Sequence, residues 1–207
     1  MPAPAPAGAY PLHPDTLIHD ALARVLVPGC AAVDATAGNG HDTLFLAQGV
    51  GPGGEVWAFD VQAAALEATR ARLDAARAAG QALGRVHLVH AGHEDCLAHL
   101  PAPPRTFTVA VFNLGYLPGA DRTGAEKPRV TSAATTLEAL TALMPRMTRG
   151  GIVALHAYTG HRGGTGEARA LMALCRALPY TEWSVWHTRT LNKTLRSEHV
   201  FLLQRHV

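Results

Sequence analysis

The chain has 207 residues, 48% of them hydrophobic, which fits one domain with a substantial core and excludes a disordered chain. No apolar run approaches the roughly 20 residues that span a bilayer, and the Pro/Ala-rich opening 1–13 lacks the basic start and apolar centre of a signal peptide. It reads as a mobile tail ahead of a single domain over 14–207. The net charge of +2 is unevenly divided: residues 1–100 carry 5 Lys/Arg against 10 Asp/Glu, whereas 101–207 carry 13 against 6.

In chain order, an apolar stripe at Leu17, Ile18, Ala21, Leu22, Val25 and Leu26 predicts a helix over 14–27, closed by Pro28-Gly29. Strand-like runs follow at 31–36, 55–60, 85–91, 107–114, 151–158, 183–190 and 199–205. Helical stretches lie between them at 41–48, 62–79, 135–147 and 166–178. Repeated β-then-α units predict an α/β fold with a parallel sheet covered by helices on both faces. The last two runs are too close for a crossover helix and should pair antiparallel. Seven strands, mostly parallel with an antiparallel final hairpin, make the Rossmann-like class I methyltransferase plan the expected fold. The cysteines Cys30, Cys96 and Cys175 are odd in number and far apart, which suits a reducing, cytoplasmic compartment. The twelve histidines do not fall into zinc-ligand spacings, so no metal is expected.

The chemistry is concentrated in three strand ends. At the first, Val33-Asp34-Ala35-Thr36-Ala37-Gly38-Asn39-Gly40-His41-Asp42-Thr43 runs from strand through a Gly-x-Gly turn into a helix. Such a turn lets backbone approach a ligand and offers free N–H groups. At the second, Asp60 ends a strand, where a carboxylate can accept both hydroxyls of a ribose. An acid at Asp34 would repel a pyrophosphate but favours a ligand carrying an ammonium and a sulfonium, and Thr43 replaces the third glycine of the dinucleotide fingerprint. These features select S-adenosylmethionine over a nicotinamide dinucleotide. His93 follows the third strand, where the adenine is expected. The fourth ends at Asn113-Leu114-Gly115-Tyr116-Leu117-Pro118, which suits an acceptor pocket and resembles the Asn-Pro-Pro-Tyr signature of amino-group methyltransferases. In that arrangement the Asn carbonyl accepts a hydrogen bond from the acceptor N–H, and the aromatic stacks on the substrate base.

The stretches 34–43, 58–62 and 112–119 together resemble the MnmM (YtqB) family, tRNA methyltransferases formerly labelled rRNA methylases. The similarity runs from about residue 14 to the last strand, and includes Thr131, Thr135-Thr136, Tyr158, Gly160-His161 and Gly163. The chain departs from it at Ala120, within Gly119-Ala120-Asp121, and at Asn192-Lys193-Thr194-Leu195, where the family has Asn-x-Pro-Pro. The resemblance implies N-methylation of the aminomethyl group of 5-aminomethyl(-2-thio)uridine at the tRNA wobble position. It implies donor contacts from Asn39, His41, Asp60, Gln62, Gly92 and His93, beside the motif residues Asp34, Gly38, Gly40 and Asp42. Asn113 and Tyr116 are the expected catalytic pair. The excess cations of the second half, Arg122, Lys127, Arg129, Arg162, Arg189, Lys193 and Arg196, are the expected phosphate contacts to the tRNA anticodon region. The surroundings of Asn113 are expected to be poor in carboxylates and rich in cations, lowering the pKa of the amine. An rRNA substrate, or an amine on a small molecule or protein, shares every donor feature. A homodimer is a further expectation.

Overall fold

In the computed structural model, which describes residues 13–115, 131–160, 163–193 and 198–207, seven strands form one sheet in the order β3-β2-β1-β4-β5-β7-β6. The strands are β1 (Ala31–Asp34), β2 (Glu55–Asp60), β3 (Arg85–His90), β4 (Phe107–Leu114), β5 (Met147–Tyr158), β6 (Trp183–Thr188) and β7 (Glu198–Arg205). All neighbouring pairs from β3 across to β5 are parallel, while β7 lies antiparallel between β5 and β6. The expected final hairpin is therefore present, with its second strand inserted inside the edge. The order reverses between β1 and β4, which makes a crevice at their carboxyl ends, where open α/β sheets bind ligands.

The helices are α1 (Pro14–Ala23), α2 (His41–Val50), α3 (Ala63–Ala78), α4 (Cys96–His99), α5 (Ala133–Leu143) and α6 (Gly164–Ala177). Alternating side chains of β4 enter two cores, as expected of a strand covered on both sides. Ala110 and Phe112 pack with Leu140 of α5 and Leu171 of α6, whereas Val109 and Val111 pack with Ile18 and Leu22 of α1 and Leu46 of α2. None of these helices is long and apolar enough to cross a membrane.

Several boundaries differ from the sequence expectation for local reasons. β1 stops at Asp34 rather than 36, because the Asp34 carboxyl accepts the Thr36 N–H and turns the chain. α1 ends at Ala23, where Arg24 donates back to Ala21 and Leu22. α5 begins at Ala133 because Ser132 caps it, accepting from Thr135 N–H, and its regular turns end before Pro145. β5 begins at Met147, earlier than expected, with a register shift against β4 between Phe107 and Val109. The short α4, preceded by a 3-10 turn over His93–Asp95, was not expected.

Candidate active site

A cavity of about 750 Å³ opens at the carboxyl ends of β1, β2 and β4, a volume usual for small-molecule sites. It brings together Gly38, Asn39, His41, Asp42, Asp60, Gln62, Gly92, His93 and Asn113, residues spread over four loops. Tyr116 lies outside the described residues, as do Arg122, Lys127, Arg129, Arg162 and Arg196.

The β1–α2 turn is held by its neighbours. Gly38 N–H donates to Asp60 Oδ2 at 2.9 Å, and Gln62 N–H donates to Asp60 Oδ1 at 2.9 Å. One carboxylate thus ties the first turn to the second and is anchored at the cavity edge. Gly40, the residue before α2, has φ of 75°, and a Cβ there would stand 2.7 Å from Thr69 Cα. Both the left-handed backbone and the close passage of α3 require glycine. From α3, Arg72 Nε donates to the Asn39 carbonyl at 2.7 Å and Arg72 Nη2 to His41 Nε2 at 2.9 Å. Arg72 was not foreseen, because its partners lie on another element.

Asp34 and Gly40 shape the site from behind rather than lining it. Asp34 is fully buried, and accepts from Thr43 Oγ1 at 2.5 Å and Thr36 N–H at 3.1 Å. Burial, reinforced by the charges of Asp42 and Asp60 against those two hydrogen bonds, lifts its carboxyl to about 7. The expectation that Asp34 faces the ligand is corrected: the strand is covered on both faces, and the side chain turns inward to brace the Thr36 corner.

His93 is buried beside Phe112, and its Nδ1–H donates to the Ala35 carbonyl at 3.3 Å. Burial lowers its pKa, so the ring is neutral and Nε2 keeps a lone pair. Nε2 has no partner among the described residues.

Asn113 caps the crevice at the end of β4. Its backbone N–H donates to Thr36 Oγ1 at 2.6 Å, and its Nδ2 donates to Asp42 Oδ2. Its buried Oδ1 has no partner among the described residues. Around it stand groups from the first helix that the sequence reading did not single out, Asp15 and His19, together with Tyr158 at the end of β5. Asp15 accepts from His156 Nδ1 at 3.0 Å, a bond that lowers its pKa. Burial and the charges of Asp15, Glu198 and Asp42 raise that of Tyr158, which stays a neutral phenol. Asp15 and His19 are four residues apart on one helical face, a spacing that could have drawn attention to them.

The expectation that the surroundings of Asn113 are poor in carboxylates is therefore corrected, while most of the cations expected there lie outside the described residues. The described cavity lining holds Asp15, Asp42, Asp60 and Glu94 and no Lys or Arg. Of the described basic candidates, Arg189 is exposed, and Lys193 pairs with Glu198.

The His93 Nε2, without a partner among the described residues, and the acidic lining fit S-adenosylmethionine, which is both a nucleoside and a cation. A methyltransferase of Streptococcus mutans (SMU.1697c, described as putative), solved in complex with SAH, is 31% identical, with a TM-score of 0.79 over 95% of this chain and 99% of that one. A structure described as a putative rRNA-methylase, from Clostridium thermocellum, has a TM-score of 0.82 at 27% identity, covering 95% of this chain and 99% of the other. The chloroplastic tRNA (mnm(5)s(2)U34)-methyltransferase of Arabidopsis thaliana is 36% identical over 197 residues, 90% of this chain and 68% of the relative. Fold, cavity and relatives define a class I methyltransferase that uses S-adenosylmethionine. The model of the family described as "Putative rRNA methylase" matches residues 56–204, and the chain belongs to that family.

Proposed function

We propose that this methyltransferase acts on tRNA, transferring a methyl group to the primary amine of 5-aminomethyl(-2-thio)uridine at the wobble position. The observation that carries the reading is the buried Oδ1 of Asn113, an acceptor without a partner among the described residues on a side chain that lines the acidic cavity at the strand end. The activity of the Arabidopsis relative supplies the nucleic-acid class.

On this reading Asp60, Gly38, Asn39, His41, Gln62, Gly92 and His93 hold the donor, and Asn113 with Tyr116 serves the acceptor. Bound S-adenosylmethionine supplies a methyl group activated by its sulfonium. The chain's residues align the reactants and exclude water, which is worth roughly 7–11 kcal/mol in well-aligned cases. Asn113 Oδ1 accepts an N–H of the amine and fixes its orientation. The carboxylates of the lining attract the amine in its charged form, so it sheds a proton to solvent before it attacks. Exposed cations including Arg189 meet the phosphates. A cytoplasmic location and a homodimer belong to the same reading.

The test is methylation in vitro of tRNA isolated from cells that lack the modification, followed by mass analysis of its nucleosides. A gain of one methyl on the aminomethyl uridine is expected. Methylation of rRNA alone, or of a free amine as readily as of tRNA, overturns the reading.

A further inference from the structure

Asp42 sits in the same Gly-x-Gly-His-Asp turn as the expected donor contacts, yet its hydrogen bonds lead elsewhere. Its Oδ2 accepts from Asn113 Nδ2, on β4. Its Oδ1 accepts from His19 Nε2 at 2.6 Å, on α1. The His19 ring is stacked on Phe45 with centroids 3.9 Å apart and planes 1° from parallel, so it cannot swing freely. The carboxylate is largely withdrawn from solvent, its side chain 13% exposed.

A side-chain amide has two orientations of nearly equal shape and opposite polarity. If the Asn113 amide turned over, it would set its oxygen against the Asp42 carboxylate, acceptor against acceptor. It would also present N–H donors to the pocket, where a substrate amine needs an acceptor. With Asp42 in place only one orientation is satisfied, and it is the one that leaves Oδ1 free.

We propose that Asp42, braced by His19, is a positioning residue that locks the Asn113 amide with its oxygen toward the acceptor amine, and so serves the acceptor rather than the donor. This rests on the reading of the acceptor as an amine. The carboxylate acts through its acceptor lone pairs and not through its charge. An amide at position 42 can still offer its carbonyl to Asn113 Nδ2 and its NH2 to the other tautomer of His19.

The test compares Asp42→Ala, Asp42→Asn and His19→Ala. SAH affinity is measured by calorimetry, kcat and KM on aminomethyl-uridine tRNA, and the Asn113 side-chain amide signals by NMR in the free protein. Asp42→Ala should bind SAH as the parent does and lose kcat by about 10- to 100-fold, the worth of one well-placed hydrogen bond. Its Asn113 amide protons should exchange faster. Asp42→Asn should recover most of the lost kcat, and His19→Ala should fall between the two. Unchanged kcat in Asp42→Ala overturns the proposal. So does a loss of SAH affinity in both Asp42 variants, which makes Asp42 a donor contact, or an equal loss of kcat in both, which makes the charge essential. Failure of the functional reading shows separately, as a parent enzyme that leaves aminomethyl tRNA unmethylated while its Asn113 amide remains clamped.

Discussion

Asp60→Asn separates two duties of one carboxylate. In the structure both oxygens are used internally, Oδ2 by Gly38 N–H and Oδ1 by Gln62 N–H, each at 2.9 Å. An asparagine keeps one of these bonds and turns its NH2 toward the other donor. Hydrogen bonds to charged groups are worth about 1.5–3 kcal/mol, and the half-buried setting puts the loss of stability near the lower end, about 1.5 kcal/mol. If Asp60 also takes the ribose hydroxyls of the donor, the same substitution removes a charged acceptor from the ligand. Another 1.5–3 kcal/mol is then lost on binding, or about 10- to 100-fold in affinity. Urea unfolding measures the first quantity and titration calorimetry with SAH the second. A variant with the stability loss but SAH affinity within about twofold of the parent makes Asp60 only a brace between two turns. The ribose assignment then falls.

Asp34→Asn should flatten the pH dependence of stability. The Asp34 carboxyl is lifted from 3.8 to about 7, so the native state holds a proton that the unfolded chain has lost. Its contribution is full below pH 3.8 and is lost as pH rises through about 7. Urea midpoints at pH 5 and pH 8 should therefore differ less in the variant than in the parent, and an equal difference refutes the shift. Glu167→Gln should destabilise the chain by roughly 1–3 kcal/mol, because the buried carboxylate accepts from Thr131 at 2.9 Å and Thr136 at 2.7 Å and an amide cannot serve both in the same way. An unchanged thermal midpoint would remove Glu167 as the anchor of the chain entering α5.

The parts of the site that could be read in the sequence are those written in consecutive residues. The turn from β1 into α2 and the acid ending β2 follow from a strand-glycine-helix grammar that backbone chemistry imposes locally. The pairing of Asn113 with Asp42 spans 71 positions, and no local pattern announces it. Asp42 accordingly grouped with its sequence neighbours at the donor, although its bonds run to β4 and α1. Asp15 and His19 share the face of α1 that carries the buried Ile18 and Leu22, so the apolar stripe that marks the helix hides the polar pair beside it. Strand β5 was read late because Thr148-Arg149-Gly150 is polar, although Met147 already pairs with Phe107.

The uneven charge of the chain also takes on a meaning that counting by halves concealed. The four carboxylates of the described cavity lining, Asp15, Asp42, Asp60 and Glu94, all belong to the acidic first hundred residues. Together they give the cavity a negative field that suits a cationic donor and, on the proposed function, an amine acceptor. A polyanion meets the protein differently, through exposed cations whose field reaches only about 8–10 Å at ordinary ionic strength. An acidic cavity inside a chain with a basic second half is therefore no contradiction. Raising salt should weaken tRNA binding far more than SAH binding, because the first depends on many screened surface charges and the second on contacts within one pocket. Equal salt sensitivity of the two would mean that the basic residues do not contact the RNA backbone.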